Sequence, residues 1–153
     1  MELSPAERQI LFMLQENSRV SNARLAEAVG MSESPCFRRV KQMETSGLIK
    51  SYVAVIDQRQ LGLDITAFVQ VTMKDQTSYD EAKFTECVKA EDHVIECHAM
   101  SGSYDYLMKV VARNMDHFSE IAMQHILKFP GVKTIESSFN LKEMKNNHSL
   151  PCA

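Results

Sequence analysis

From Thr66 onward the chain changes period in one fixed order, and that order admits few folds. Thr66–Met73 is rich in β-branched and aromatic residues and reads as a strand. Tyr79–Ala90 carries Ala82, Phe84 and Val88 at helical spacing. His93–Met100 and Tyr106–Ala112 read as strands on either side of the Ser101-Gly102-Ser103 turn. Met115–Phe129 is helical, with Phe118, Ile121, Ala122, Ile126 and Leu127 apolar, and Pro130-Gly131 stops it. Val132–Leu141 is a last strand. Strand, helix, strand, strand, helix, strand is the split, ferredoxin-like βαββαβ order. Two helices cover one face of such a sheet, so the other face must meet solvent or a second copy. Homodimerisation follows as an expectation.

The first third is helical. Ser4-Pro5-Ala6-Glu7 combines a cap, a proline at the first helical position and a capping-box glutamate. Ile10, Leu11, Met13 and Leu14 then form a stripe. Ser21 caps a short second helix, Asn22–Val29, with Gly30 as its left-handed stop. Ser34-Pro35 opens a third helix, with Phe37, Val40 and Met43 as its expected buried face and Gly47 at its end. At Ile49–Ile56 the period turns to two. A strand this apolar needs cover on both faces, as from a partner chain. The expected organisation is α+β: a helix-turn-helix domain over 1–56, a linker over 57–65, a ferredoxin-like domain over 66–142 and a polar tail over 143–153.

Composition narrows the classes. The 153 residues are 44% hydrophobic and 24% charged, with no apolar run near the roughly 20 residues that span a bilayer. No basic patch leads into an apolar stretch at the start, and the four cysteines show no Cys-x-x-Cys pair. These point to reduced thiols, a cytoplasmic location and no membrane partner. Net charge is −3, but residues 1–62 hold eight bases against seven acids, while the remainder holds nine against 13. A local basic face can still bind a polyanion, because fields are screened within about 8–10 Å.

Two constellations carry candidate chemistry. In the first, the two short helices and their glycine turn have the spacing that lays a second helix in the major groove of double-stranded DNA. With Phe37, Val40 and Met43 inward, Arg38 and Gln42 face outward, flanked by Arg39 and Lys41. The helix start at Pro35 and the Ser32 and Ser34 hydroxyls suit phosphate. A three-helix protein-contact module is the alternative. In the second, the turn Ser101-Gly102-Ser103-Tyr104-Asp105 offers backbone N–H donors for an α-carboxylate and one carboxylate for an α-ammonium. The alternative is a hairpin turn whose aspartate satisfies local backbone.

Enzyme readings find no support in the motifs. Gly-x-Ser-x-Gly, phosphate-loop and dinucleotide patterns are missing, so no cofactor is expected. His93, His98, His117, His125 and His148 lack paired zinc spacing, so no metal is expected either. Cys36 at a helix start is placed for a thiolate but better suits a small semi-buried filler. An RNA-binding sheet would need exposed aromatics where Lys109 and Val111 stand. A sensing or metabolic protein that uses the C-terminal domain without DNA binding remains an alternative.

Over nearly its whole length the chain resembles the Lrp/AsnC (feast/famine) family of transcription regulators. The carrying segments are Ile10–Arg19, Leu25–Ser32, Pro35–Lys41, Glu44–Ile49, Ser101–Leu107 and Pro130-Gly131-Val132. The resemblance implies a winged helix-turn-helix followed by a ferredoxin-like effector (RAM) domain. It implies dimers joined through the sheet face, commonly assembled to octamers, with a small amino acid bound between dimers near Gly102 to Asp105. Asp105 matches the amino-group position, and Met115, Ser137 and Ser138 match others that line or answer to the pocket. Ser103 replaces an acid found in many members, and Ser137-Ser138 replaces bulkier residues of leucine-responsive members. Together with the tail Ser149-Leu150-Pro151, these resemble a branch of cysteine-responsive activators of cysteine breakdown. The expected effector is an amino acid of the cysteine, methionine or leucine class.

Overall fold

The computed structural model describes residues 2–74 and 81–152, which divide into two compact units. One runs to Val55 and takes in the chain from Met144 onward; the other is Ile56–Glu143.

The first unit is built on three helices: α1 (Pro5–Glu16), α2 (Asn22–Ala28) and α3 (Glu33–Thr45). The capping box at α1 forms as the sequence predicts: the Glu7 N–H donates to Ser4 Oγ at 3.3 Å, and the Ser4 N–H to Glu7 Oε2 at 2.8 Å. Gly30 turns the chain between α2 and α3 at φ +65°, a conformation an L side chain rarely adopts. Asn22 Nδ2 then donates to the Glu33 carbonyl at 2.9 Å, tying the start of one helix to the start of the next. Ile10, Leu25, Ala26, Cys36 and Met43 are buried between the three, with Leu11, Leu14, Val40 and Ile49 packed on them.

Three expectations need correction here. α3 starts earlier than Pro35: Ser32 is its N-cap and Pro35 its third residue. That position tolerates proline because its N–H would have no intrahelical partner. The buried face of α3 uses Cys36, not Phe37, which is 52% exposed. The period-two segment 49–56 joins no ladder among the described residues, and Val53 and Val55 stand 74% and 70% exposed. A two-residue period gives a strand only where a neighbouring strand meets its backbone N–H and C=O groups.

The tail is not merely solvated. Gln15 on α1 pairs with the backbone of Leu150 in both directions: Nε2 donates to the Leu150 carbonyl at 3.1 Å, and the Leu150 N–H donates to Oε1 at 2.6 Å.

The second unit is one antiparallel sheet of β1 (Ile65–Met73), β2 (Val94–Ala99), β3 (Tyr106–Ala112) and β4 (Val132–Phe139). Its strand order β2-β3-β1-β4 is that of a ferredoxin-like fold. The predicted strands survive with shifts of a residue or two at their ends. The helix expected over Tyr79–Ala90 is α4 (Glu81–Ala90), with Tyr79 and Asp80 outside the described residues. Ala67, Val69, Val71, Met108, Val110 and Ala112 point one way, against Phe84 of α4 and Phe118, Ile121 and Ile126 of the last helical stretch. Alternation along a strand sends Phe68, Leu107 and Lys109 to the opposite face.

The helix expected over Met115–Phe129 is regular only as α5 (Met115–Glu120). A wide π turn follows at Ile121–His125, then a 3₁₀ turn at Ile126–Lys128. Widening the turn brings Ile121 and Ile126, five residues apart and both buried, onto the core side together.

Candidate nucleic-acid interface and effector turn

The exposed face of α3 carries Ser34, Phe37, Arg38, Lys41, Gln42 and Thr45, a run at three- and four-residue spacing. Arg38 has no hydrogen bond or ion pair among the described residues and is free to meet a phosphate or a guanine edge. Its two basic neighbours are already engaged. Arg39 turns inward, and its Nη1 lies 3.3 Å from Glu7 Oε1. Hydrogen bonds from the Ser4 side chain and backbone, then the Arg39 guanidinium, hold the Glu7 carboxyl below its ordinary range. Lys41 Nζ lies 2.7 Å from Glu44 Oε2, and Glu44 Oε1 accepts from the Tyr52 hydroxyl at 3.0 Å.

The start of α3 leaves the Ser32 side chain without a capping bond. Glu33 and Ser34 contribute the unpaired N–H groups expected of a first helical turn, whereas Pro35 has none to give. Burial raises the Cys36 thiol above its ordinary value, so the helix start does not make it a thiolate.

The turn between β2 and β3 is held from both sides. The Met100 N–H donates to the Asp105 carbonyl, and the Asp105 N–H to the Val71 carbonyl, each at 2.9 Å. Asp105 Oδ2 accepts the Met73 N–H at 2.7 Å, where the β1–β4 register shifts. Half of the carboxylate therefore serves the sheet, while Oδ1 has no partner among the described residues. Ser101, Gly102 and Ser103 are exposed and Tyr104 is half-buried. Gly102 has open space where a Cβ would stand.

One chain does not gather the other expected pocket residues around this turn. Met115 follows the far end of β3, roughly 20 Å away by strand rise over Tyr106–Ala112. Ser137 and Ser138 lie opposite Val69 and Phe68, partway along β1.

Four of the five histidines weighed as metal ligands have side-chain partners, His98 Nε2 lying 3.3 Å from Glu96 Oε2. His93 Nδ1 and His125 Nδ1 pair with separate oxygens of Glu91, and His117 Nδ1 accepts from Arg113. Burial pushes the Glu91 carboxyl up, but bonds from His125 and from the His93 backbone and side chain outweigh it, leaving the carboxyl below its usual range.

Comparison with known proteins matches residues 3–50 to a winged helix-turn-helix DNA-binding model and residues 66–150 to the Lrp/AsnC ligand-binding domain. The chain belongs to the Lrp/AsnC family. It is 33% identical to the DNA-binding transcriptional activator DecR of Escherichia coli K12, over 97% of this chain and 98% of that one. It is 30% identical to the leucine-responsive regulatory protein of the same strain, over 97% and 91%. A Neisseria meningitidis transcriptional regulator, solved as its complex with L-Met, superposes with a TM-score of 0.91 at 36% identity, covering 98% of this chain and 97% of that one. This Lrp/AsnC chain is thus a DNA-binding transcriptional regulator, and α1–α3 lie inside the matched DNA-binding segment. The ligand-binding match spans all four strands and reaches Leu150, the residue clamped by Gln15. Among the described residues, no helix is long and apolar enough to cross a membrane.

The sequence reading missed Phe37 as a surface residue. The signal was present in its place between Ser34 and Lys41, one turn from each.

Proposed function

We propose that the chain acts in the cytoplasm as a homo-oligomeric regulator, a dimer assembling toward an octamer, whose α3 reads operator DNA and whose occupancy answers to a small amino acid. The observation that carries the DNA half is Arg38, a guanidinium with no partner among the described residues, on the outward face of the second helix of a helix-turn-helix. Ser32, Ser34 and Gln42 support it as phosphate and base contacts, and Lys41, held by Glu44, adds a cation to the same face. Arg39 contributes by holding α3 on α1 through Glu7.

The effector half rests on the turn Ser101–Asp105, where exposed backbone and Asp105 Oδ1, without a partner among the described residues, complement a zwitterion. Met115 and Ser137-Ser138 stand too far along the sheet to complete it from the same chain, which favours a pocket shared between copies. The name of the leucine-responsive relative and the L-Met complex of the Neisseria regulator support an effector of the cysteine, methionine or leucine class. Binding between dimers changes their association free energy and so the spacing of linked recognition helices, an allosteric coupling of about 1–3 kcal/mol.

The test combines a gel shift on DNA upstream of the chain's own coding sequence with thermal denaturation against each of the twenty amino acids. One class should raise the melting temperature and alter the shift, because a ligand of the native state stabilises it. No shifted DNA at low salt defeats the regulator reading; a shift indifferent to every amino acid defeats the effector reading alone.

A further inference from the structure

We propose that Phe37 is a specificity-determining residue that reads the 5-methyl group of a thymine in the major groove. This rests on α3 being the recognition helix. Phe37 is the one large apolar side chain on the outward face of α3, 52% exposed, whereas Cys36 and Met43 on the inward face are buried. Its neighbours on that face are Ser34, Arg38, Lys41 and Gln42, all polar and all exposed. A ring isolated among such residues is poor material for the core of a protein–protein contact, which needs contiguous apolar surface. It fits a groove whose walls are anionic and whose one apolar feature is the thymine methyl.

The ring is also held ready. Lys41 Nζ sits 5.9 Å from its centroid, and Lys41 is itself fixed by Glu44, which Tyr52 holds in turn. The cation occupies one side of the ring. Covering a methyl with the remaining surface removes apolar area of both partners from water, worth about fourfold in affinity per methyl.

The experiment selects duplexes from a randomised pool with the full chain, then replaces each thymine of the enriched sequence by uracil, which lacks only the methyl. Affinities are read by fluorescence anisotropy at one salt concentration, for the wild type, Phe37→Ala and Phe37→Leu. One thymine in each half-site should cost the wild type about fourfold. Phe37→Ala should lose about tenfold on the parent duplex and be blind to uracil at that position alone; Phe37→Leu should keep part of the discrimination. Three outcomes overturn the proposal: Phe37→Ala binding like the wild type, the variant keeping the wild-type response to uracil at every position, or the variant losing its oligomeric mass, which assigns the ring to a contact between copies. If the wild type enriches no duplex, the reading of α3 falls, and this proposal with it.

Discussion

Three basic residues within four positions of α3 have three different fates. Arg38 has no partner among the described residues, Arg39 is bound to α1 and Lys41 is bound to its own helix. At about 100° per residue, Cys36, Val40 and Met43 cluster on one side, Arg39 lies beside them, and Phe37 falls near the edge of the opposite arc with Lys41. The exposure of Phe37 is therefore legible in the helical angle of its position, though not in its hydrophobicity. The ion pair of Arg39 was not, because nothing local says that Glu7, 32 residues earlier, stands across from it. Arg38→Ala should weaken operator binding about tenfold or more, with the slope of log affinity against log salt falling by about one if the contact is to phosphate, measured by titrations at several salt concentrations. Glu7 tests the inward pair. Its carboxyl is held below its ordinary value near 4.5, so its contribution to stability is present above that pH and is lost as pH falls through the folded value. Glu7→Gln should lower the melting temperature at neutral pH, with the difference from wild type closing toward pH 3.

At the scale of elements, Asp105 joins two roles that substitution can separate. Asp105→Ala strands the Met73 N–H, a loss of about 1–3 kcal/mol, whereas Asp105→Asn keeps an acceptor there and loses the charge that an ammonium group needs. Calorimetry should find effector binding gone in both variants, and only the alanine chain should melt appreciably earlier. An asparagine variant with intact binding would return Asp105 to the plain turn role. Gln15 makes a parallel case. Its amide mimics a backbone partner for Leu150, so Gln15→Ala should free the tail and speed its removal by carboxypeptidase, followed by intact mass. The turn at Ser101-Gly102-Ser103 was readable from its residue types; the tail clamp was not, because a glutamine on a helix surface and a leucine 135 residues later carry no mutual signature.

For the whole molecule, the segment after Leu48 is the apolar surface that assembly must cover. Tyr52, Val53, Val55 and Ile56 are exposed and form no ladder among the described residues, which is costly for a period-two apolar run. A second copy supplies the partner in the proposed assembly. Val53→Lys with Val55→Lys should shift the mass in analytical ultracentrifugation toward monomer and weaken DNA binding through lost multivalency. An unchanged mass would place the dimer elsewhere. The sequence by itself determined the order of elements, the capped helix starts and the βαββαβ rhythm, because caps, turns and hydrophobic period are local properties of the chain. Tertiary structure alone decided that Arg39 is spent on Glu7, that the helix after Glu120 widens to bury Ile121 and Ile126, that Asp105 gives one oxygen to β1, and that the 49–56 run meets no strand among the described residues. Each of these depends on which groups from distant positions meet once the core closes, and an ion pair, a turn width or a ladder exists only when both sides are present.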